Sequence, residues 1–418
     1  METAGAQKRQ ASVSPKKKML FKSLIILAVI LIAGEILCRK LGAIYRTPWE
    51  QILNKACFSP RYGWKWPANV TEYTRNPDGG DHIAYRYNSH GWCDVEHSRK
   101  KPEGVVRILV IGDSFTQGVV KFEKLYTRQM ERLFQSAGYD VEVISMGIVG
   151  WATDQQLLAL KHEGVQYSPD IVISQFCSND LAENMPINDV PFGNKARALK
   201  PITFFLKEGK LVQRKVDPET IIRRYNPLKS RIAGVIFSSA LVYNLCSIFY
   251  SFGREEQPAM DGTVPNWGEK YPLMPDLYSE NAPEWVAKAW ELYSALIRET
   301  KKVAENHNAL FFVLSVSGNE GEREWNLRWK RFYRDENGSE WVTWKGEKIA
   351  IDYMYFRRRW KRAVEDAGAT CIPTRRKHER YKFDAHTNEA GNLTMARDIV
   401  DFLLENTEAR SLLCVNNK

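Results

Sequence analysis

The seven cysteines include no C-x-x-C pair, so a zinc ribbon or a thioredoxin-type redox motif is disfavoured. No internal repeat appears, which argues against a solenoid or an array. No Gly-rich phosphate loop stands after the first apolar strand. Asp113-Ser114-Phe115 stands there instead, which disfavours a flavodoxin-like nucleotide binder. Acidic residues are nearly missing from the first 22 positions: Glu2 stands against Lys8, Arg9, Lys16, Lys17, Lys18 and Lys22. The net charge is +10, and this short stretch carries +5 of it. The basic excess is therefore partly a tail effect and weak support for a nucleic-acid partner. Neither a nucleic acid, a metal nor a cofactor is expected.

Of the 418 residues, 44% are hydrophobic and 12% aromatic. That suffices for a sizeable core, in one large domain with insertions or in two domains. Residues 1–18 are polar and basic and are expected to be disordered. Residues 19–38 contain the apolar run Leu24 to Gly34, and 20 residues is about one bilayer span. The Lys cluster precedes the run, and fewer basic residues come after it. The positive-inside rule then puts the N-terminus in the cytoplasm and the rest in the periplasm or outside the cell. No small-x-small cleavage site stands out, so an uncleaved anchor is preferred to a signal peptide. Beyond Cys38 lie Cys57, Cys93, Cys177, Cys246, Cys371 and Cys414, and an exported chain can pair some of them.

Residues 41–105 are aromatic and turn-rich, with one or two short strands expected near Ala84 to Tyr87. They read as a cover packed on the main domain, in preference to a carbohydrate platform. From Arg107 an α/β rhythm begins, and the main domain is placed at 106–410. Strands are expected at Ile108–Ile111, Val141–Met146, Ile171–Phe176, Ala309–Val316 and Thr370–Ile372. Helices are expected near Lys124–Ala137, Thr153–His162, Pro283–Asn306, Tyr353–Ala367 and Asn388–Glu405. Alternating strands and helices with short links imply a parallel sheet. Two insertions interrupt the rhythm. Residues 181–282 include a hairpin over Phe204 to Val216, an apolar and helical Arg231–Tyr250, and a loop-like 254–282. Residues 318–348 are charged and Trp-rich.

Four short blocks fall where such a sheet builds its site. They are Gly112-Asp113-Ser114, Gly147-Ile148-Val149-Gly150-Trp151, Ser178-Asn179-Asp180 and Asp384-Ala385-His386-Thr387-Asn388. Each residue has a plain structural reading. Gly-Asp-Ser is a common turn with a helix cap, Gly150 can simply turn the chain, and Asn179 and Asp180 can cap the next segment. His386 can be a surface residue and Asp384 a charge at a helix N-terminus. Together they supply what acyl transfer needs. A serine hydroxyl requires a base within hydrogen-bond reach, and His386 fits that role for Ser114. Asp384 can hold the imidazole in the right tautomer. The Ser114 and Gly150 N–H groups and the Asn179 amide can donate to an oxyanion. Asp113 and Asp180 are expected to support the site.

On these blocks the chain resembles the SGNH hydrolases, the GDSL-like lipase/acylhydrolase superfamily. More narrowly, it resembles membrane-anchored bacterial members with a Gly-Asp-Ser-Phe-Thr-x-Gly first block. The likeness extends to Glu35, Arg39 and Gly42, to Asn88-Ser89-x-Gly91, to Thr153-Asp154-Gln155, to Pro169-Asp170 and to Asn388-x-x-Gly391. The resemblance implies a three-layer α/β/α, flavodoxin-like fold with five parallel strands. It makes Ser114 the nucleophile, Gly150 and Asn179 the completing oxyanion donors, and His386 the base. Much of the superfamily has its acid three residues before the histidine. This chain has Phe383 there, and Asp384 two before.

The resemblance implies a serine-dependent esterase acting through an acyl-Ser114. An O-acyltransferase that moves an acetyl group to a polysaccharide hydroxyl uses the same residues and differs in what resolves the intermediate. A non-catalytic envelope assembly protein is the third reading, and intact Ser114 and His386 argue against it. Export favours an acylated envelope glycan or lipid as substrate. The basic clusters Arg357 to Arg362 and Arg375 to His378 can meet an anionic polymer, although a solvated helix face is the preferred reading.

Overall fold

A computed structural model describes residues 15–40, 58–74, 76–79, 82–186, 189, 200–216, 239, 241–242, 275–328, 333–344 and 347–415. These fall into two units. One holds helix α1 (Pro15–Lys40) and the residues at 239 and 241–242. Within it, the Ser239 hydroxyl (2.8 Å) and the Leu241 N–H (3.0 Å) donate to the Glu35 carboxylate. Much of α1 is apolar and exposed, from Met19 and Phe21 through Ile32 to Leu37. Among the described residues, no helix is long and apolar enough to cross a membrane. The expected span, 19–38, includes Leu20 and Cys38, whose side chains lie outside the described set.

The other unit is built on a five-stranded parallel sheet: β1 (Val106–Gly112), β2 (Val141–Gly147), β3 (Ile171–Phe176), β4 (Leu310–Ser315) and β5 (Thr370–Ile372). Their order across the sheet is β5-β4-β3-β1-β2. The strands are rich in Val and Ile, whose branched side chains suit a pleated surface. All seven residues of β1 and all six of β3 are buried, because helices cover both faces. The burial splits with period two. Leu109, Ile111, Ile144, Met146 and Val172 join the core on one face. Ile108, Val110, Val143, Ile171 and Ile173 join the core on the other. Three helices supply the first core: α2 (Thr153–His162), α3 (Glu284–Glu305) and α4 (Tyr353–Asp366). The second takes Met130 and Phe134 from the helix Tyr126–Ser136. It also takes Met395 and Ile399 from α5 (Glu389–Glu405) and Leu413 from the helix Thr407–Val415. This is the expected α/β architecture, with the last of those helices unanticipated.

The aromatic segment packs on the first core. Tyr62, Trp64, Trp66, Tyr85, Tyr87 and Trp92 are all buried in it. The segment carries two small antiparallel pairs, Phe58–Ser59 with Gly63–Trp64 and Thr71–Thr74 with Ile83–Arg86. Helix α2 is buried along Thr153–Leu160 despite four polar residues at its start, and each of three of them is partnered. Gln155 donates to the Tyr62 carbonyl (2.6 Å), Gln156 donates to the Gln175 carbonyl (2.9 Å), and Lys200 pairs with Asp154 (2.7 Å). Polar groups tolerate burial when partnered in this way.

Within the first insertion, the hairpin Ile202–Lys207 with Lys210–Lys215 turns at Glu208 and Gly209, close to expectation. Of Arg231–Tyr250, only 239 and 241–242 are described, and 254–274 lie outside the described residues. The second insertion holds the helix Glu320–Arg328 and a three-stranded antiparallel sheet, Tyr333–Arg334, Glu340–Trp344 and Glu347–Ile351. Cys93, Cys177, Cys371 and Cys414 are free thiols.

Candidate active site

The register of the sheet brings the four blocks to one edge. Gly112 of β1 pairs with Gly147 of β2, and Ile111 is level with Ser174 of β3. Phe176 pairs with Ser315 of β4, and Leu314 pairs with Ile372 of β5. The carboxyl ends therefore agree to within about one residue, some 3.3 Å of strand. Between β1 and β3 the strand order reverses direction, which is where open α/β sheets leave a crevice.

Ser114 opens the short helix Ser114–Gln117 directly after β1. Asp113 caps that helix by accepting from the Phe115 N–H at 2.8 Å. The Asp113 N–H donates to Gln175 Oε1 at 3.1 Å, and the Thr116 hydroxyl donates to the same oxygen at 2.9 Å. This close turn requires glycine at 112. A Cβ there would sit 2.0 Å from Thr116 Oγ1 and 2.6 Å from Gln175 Oε1. The turn is thus held from three sides, and Ser114 is aimed off the sheet edge.

His386 arrives from the loop between β5 and α5. Its Nε2 lies 2.8 Å from Ser114 Oγ, and its Nδ1 lies 2.5 Å from Asp384 Oδ1. With Nδ1–H donating to Asp384, Nε2 is free to accept the serine proton. Asp384 Oδ1 also accepts from the His386 backbone N–H at 2.8 Å. The acid that faces the imidazole is thus Asp384, two residues before the histidine. Burial raises the Asp384 carboxyl, but the charge and hydrogen bonds of His386 outweigh it, so Asp384 lies below the usual carboxylate range. Burial would lower His386, but Asp384 outweighs it, so His386 lies above the ordinary imidazole value.

The histidine loop has several anchors. The Lys382 and Phe383 N–H groups each donate to Asp78 at 3.0 Å. Arg380 donates to the Val316 carbonyl at 2.7 Å and also to the Ala385 carbonyl. The Tyr381 hydroxyl donates to the Val119 carbonyl at 2.6 Å. Phe115 packs against the His386 ring with centroids 4.7 Å apart.

The expected oxyanion donors lie at the ends of β1, β2 and β3. Gly150 sits in the turn after β2, and Asn179 begins the helix Asn179–Asn184 after β3. Among the described residues, the Ser114 N–H, the Gly150 N–H and the Asn179 side-chain amide make no hydrogen bond within the protein. Donors left open at a sheet edge suit an incoming oxygen. Asp180 is fully buried and accepts from the Thr153 hydroxyl at 3.1 Å and the Cys177 N–H at 3.4 Å. Burial pushes Asp113 up to about 6. Burial, with Asp113 nearby, pushes Asp180 well above the carboxylate range. Both support the turns, and neither touches Ser114 Oγ among the described contacts. Among the described residues, no group of His, Cys, Asp and Glu is arranged to hold a metal ion.

Several residues of this site escape the sequence. Gln117 Oε1 accepts from Trp66 Nε1 (2.8 Å) and from the Val149 N–H (3.0 Å), tying the first block to the second. Gln175 ties the first block to β3. Its one signal is a long polar side chain, next to Ser174, in a strand whose other residues are apolar. The basic clusters are largely neutralised. Arg358 pairs with Asp352, Arg375 with Glu405, and Arg376 with Asp398 and Asp401.

Residues 110–224 match the family model described as the GDSL-like Lipase/Acylhydrolase family. The match holds Ser114, Gly150 and Asn179 and ends before His386. No curated protein matches the chain. Among solved structures, the chain is similar to the lipase Lip_vut3 from a goat rumen metagenome: 14% identity, 70% of this chain and 95% of that one covered, TM-score 0.33. It is also similar to an acetyl xylan esterase, AlAXEase, at 14% identity over 71% and 99% of the two chains, TM-score 0.32. A lipase/acylhydrolase from Enterococcus faecalis stands at 11% identity, over 71% and 95%, TM-score 0.31.

Proposed function

We propose, given that residues 110–224 place this chain in the GDSL-like lipase/acylhydrolase family and make it an ester-hydrolysing enzyme, that Ser114 forms an acyl-enzyme with an acylated envelope glycan or lipid. The observation that carries the reading is the chain of contacts from Ser114 Oγ through His386 to Asp384. His386 Nε2 takes the Ser114 proton as Oγ bonds to the acyl carbon. Negative charge gathers on the carbonyl oxygen, which accepts hydrogen bonds from the open donors of Ser114, Gly150 and Asn179. The intermediate collapses, the ester C–O bond breaks, and His386 returns its proton to the leaving alkoxide. Water then attacks acyl-Ser114 by the same route, releasing the acid and restoring the serine. Asp384 stabilises the imidazolium formed in each half.

The test uses the full chain in detergent with a short-chain aryl ester and a fluorophosphonate probe. Wild type turns over and is labelled at Ser114. Ser114→Ala lowers turnover by roughly 10⁴-fold or more and abolishes labelling. Labelling at another residue, or turnover unchanged in Ser114→Ala, overturns the assignment.

The same proposal places the catalytic unit outside the cytoplasmic membrane, tethered by α1. Its support is the exposed apolar side chains of α1 and the basic cluster before them. A phosphatase reporter fused after residue 418 is expected to be active in intact cells. A cytoplasmic reporter active at that position defeats the topology.

A further inference from the structure

The backbone around Gly150 is a four-residue turn. The Trp151 N–H donates to the Ile148 carbonyl at 3.1 Å, and Gly150 has φ +70°. A positive φ at the third position is the mark of a type II turn. Types I and II differ by a flip of the central peptide, here Val149–Gly150, and glycine at the third position accepts either. Which way this peptide faces is therefore not fixed by the local sequence.

Neighbouring groups hold it. Trp64 Nε1 donates to the Val149 carbonyl at 2.8 Å, a buried contact. Trp64 itself is 1% exposed, and its own carbonyl accepts from Trp151 Nε1 at 3.0 Å. On the other side of Val149, its N–H is held by Gln117 Oε1. In a planar trans peptide the C=O and the following N–H point in opposite directions. Fixing the Val149 oxygen thus fixes the Gly150 N–H, which makes no hydrogen bond among the described residues.

We infer that Trp64, on the aromatic cover and 50 residues before the nucleophile, is a positioning residue: its indole N–H locks the Val149–Gly150 peptide so that the Gly150 N–H faces the oxyanion. This rests on the ester-hydrolase reading above. Losing the indole donor lets the peptide flip, and a flipped peptide presents a carbonyl where a donor is needed. The loss falls on the transition state and not on ground-state binding.

The experiment compares wild type with Trp64→Phe, which keeps an aromatic ring and removes the N–H. The readouts are kcat and KM on an aryl ester, Ki for a trifluoromethyl ketone whose adduct carries an oxyanion, and Ki for the phenol released from the ester, which places no oxyanion at the donors. Removing one oxyanion donor outright costs about 10²–10³ in kcat. Partial misorientation is expected to lower kcat about 10- to 100-fold, with KM within about twofold. The ketone Ki rises by the same factor as kcat falls, and the phenol Ki does not move. Replacing Trp64 with β-(3-benzothienyl)alanine, which preserves the bicyclic shape without the N–H, must reproduce the effect. That variant decides the matter if Trp64→Phe fails to fold. Unchanged kcat and ketone Ki in the isostere overturn the inference, as does an equal weakening of both inhibitors. Wild-type enzyme without turnover or Ser114 labelling defeats the ester-hydrolase reading instead, so the two failures are distinct.

Discussion

Two histidine–aspartate pairs have their histidines eight residues apart in this chain, and they are put to different uses. His386 Nδ1 meets Asp384, and its other nitrogen reaches Ser114 Oγ. His378 Nε2 meets Asp398 at 3.0 Å, and both side chains are fully buried. The His378 Nδ1 has no hydrogen-bond partner among the described residues. Asp398 also accepts from the Arg375 and Arg376 N–H groups and from the Arg376 guanidinium. One pair stands at the sheet edge with a hydroxyl in line. The other ties the strand-to-helix loop to α5 and is closed to solvent. The chemistry of a His–Asp pair is thus set by its third partner and by access, not by the pair itself.

Three variants or conditions would break or sharpen that contrast, in falling order of size. Asp384→Asn removes the charge that orients and stabilises His386, and kcat should fall by about 10²- to 10⁴-fold. The pH profile supplies the sign. Wild-type kcat/KM should rise as His386 loses its proton, at a pH above 6.5, because Asp384 holds the proton on. In Asp384→Asn that limb should move to lower pH. A wild-type limb below 6.5, or one that Asp384→Asn leaves in place, would contradict the assignment. His378→Phe should leave kcat of the folded enzyme within about twofold. It should cost about 1–3 kcal/mol of stability, since buried Asp398 loses one of its donors. Thermal melting and kcat measured on the same preparation check this. A large kcat loss with normal melting would make the buried pair part of the chemistry and erase the contrast.

Much of the architecture is legible in local pattern. The strand Ile171–Phe176 and the helix Thr153–His162 fall where their apolar runs and the glycine at 164 put them. The hairpin turn at Glu208-Gly209 is equally plain. The second insertion is not. Its helix and three short strands come from a charged, Trp-rich stretch without clear periodicity, and tertiary contacts decide such segments. The second His–Asp pair also gives no signal, because His378 and Asp398 are 20 residues apart and nothing local links them.

Local sequence set the order of strands and helices and the residue types at each strand end. Those depend on side-chain period, turn residues and caps, which act over a few positions. The same short-range rules put a hydroxyl, two amide-bearing turns and an imidazole in line for one sheet edge. Packing between distant segments then settled what faces what. It brought His386 across 272 residues to Ser114, set Asp384 on Nδ1 and laid Trp64 against the Val149 carbonyl. No short-range pattern encodes these directions, because a hydrogen bond is made or lost over tenths of an ångström and a modest change of angle.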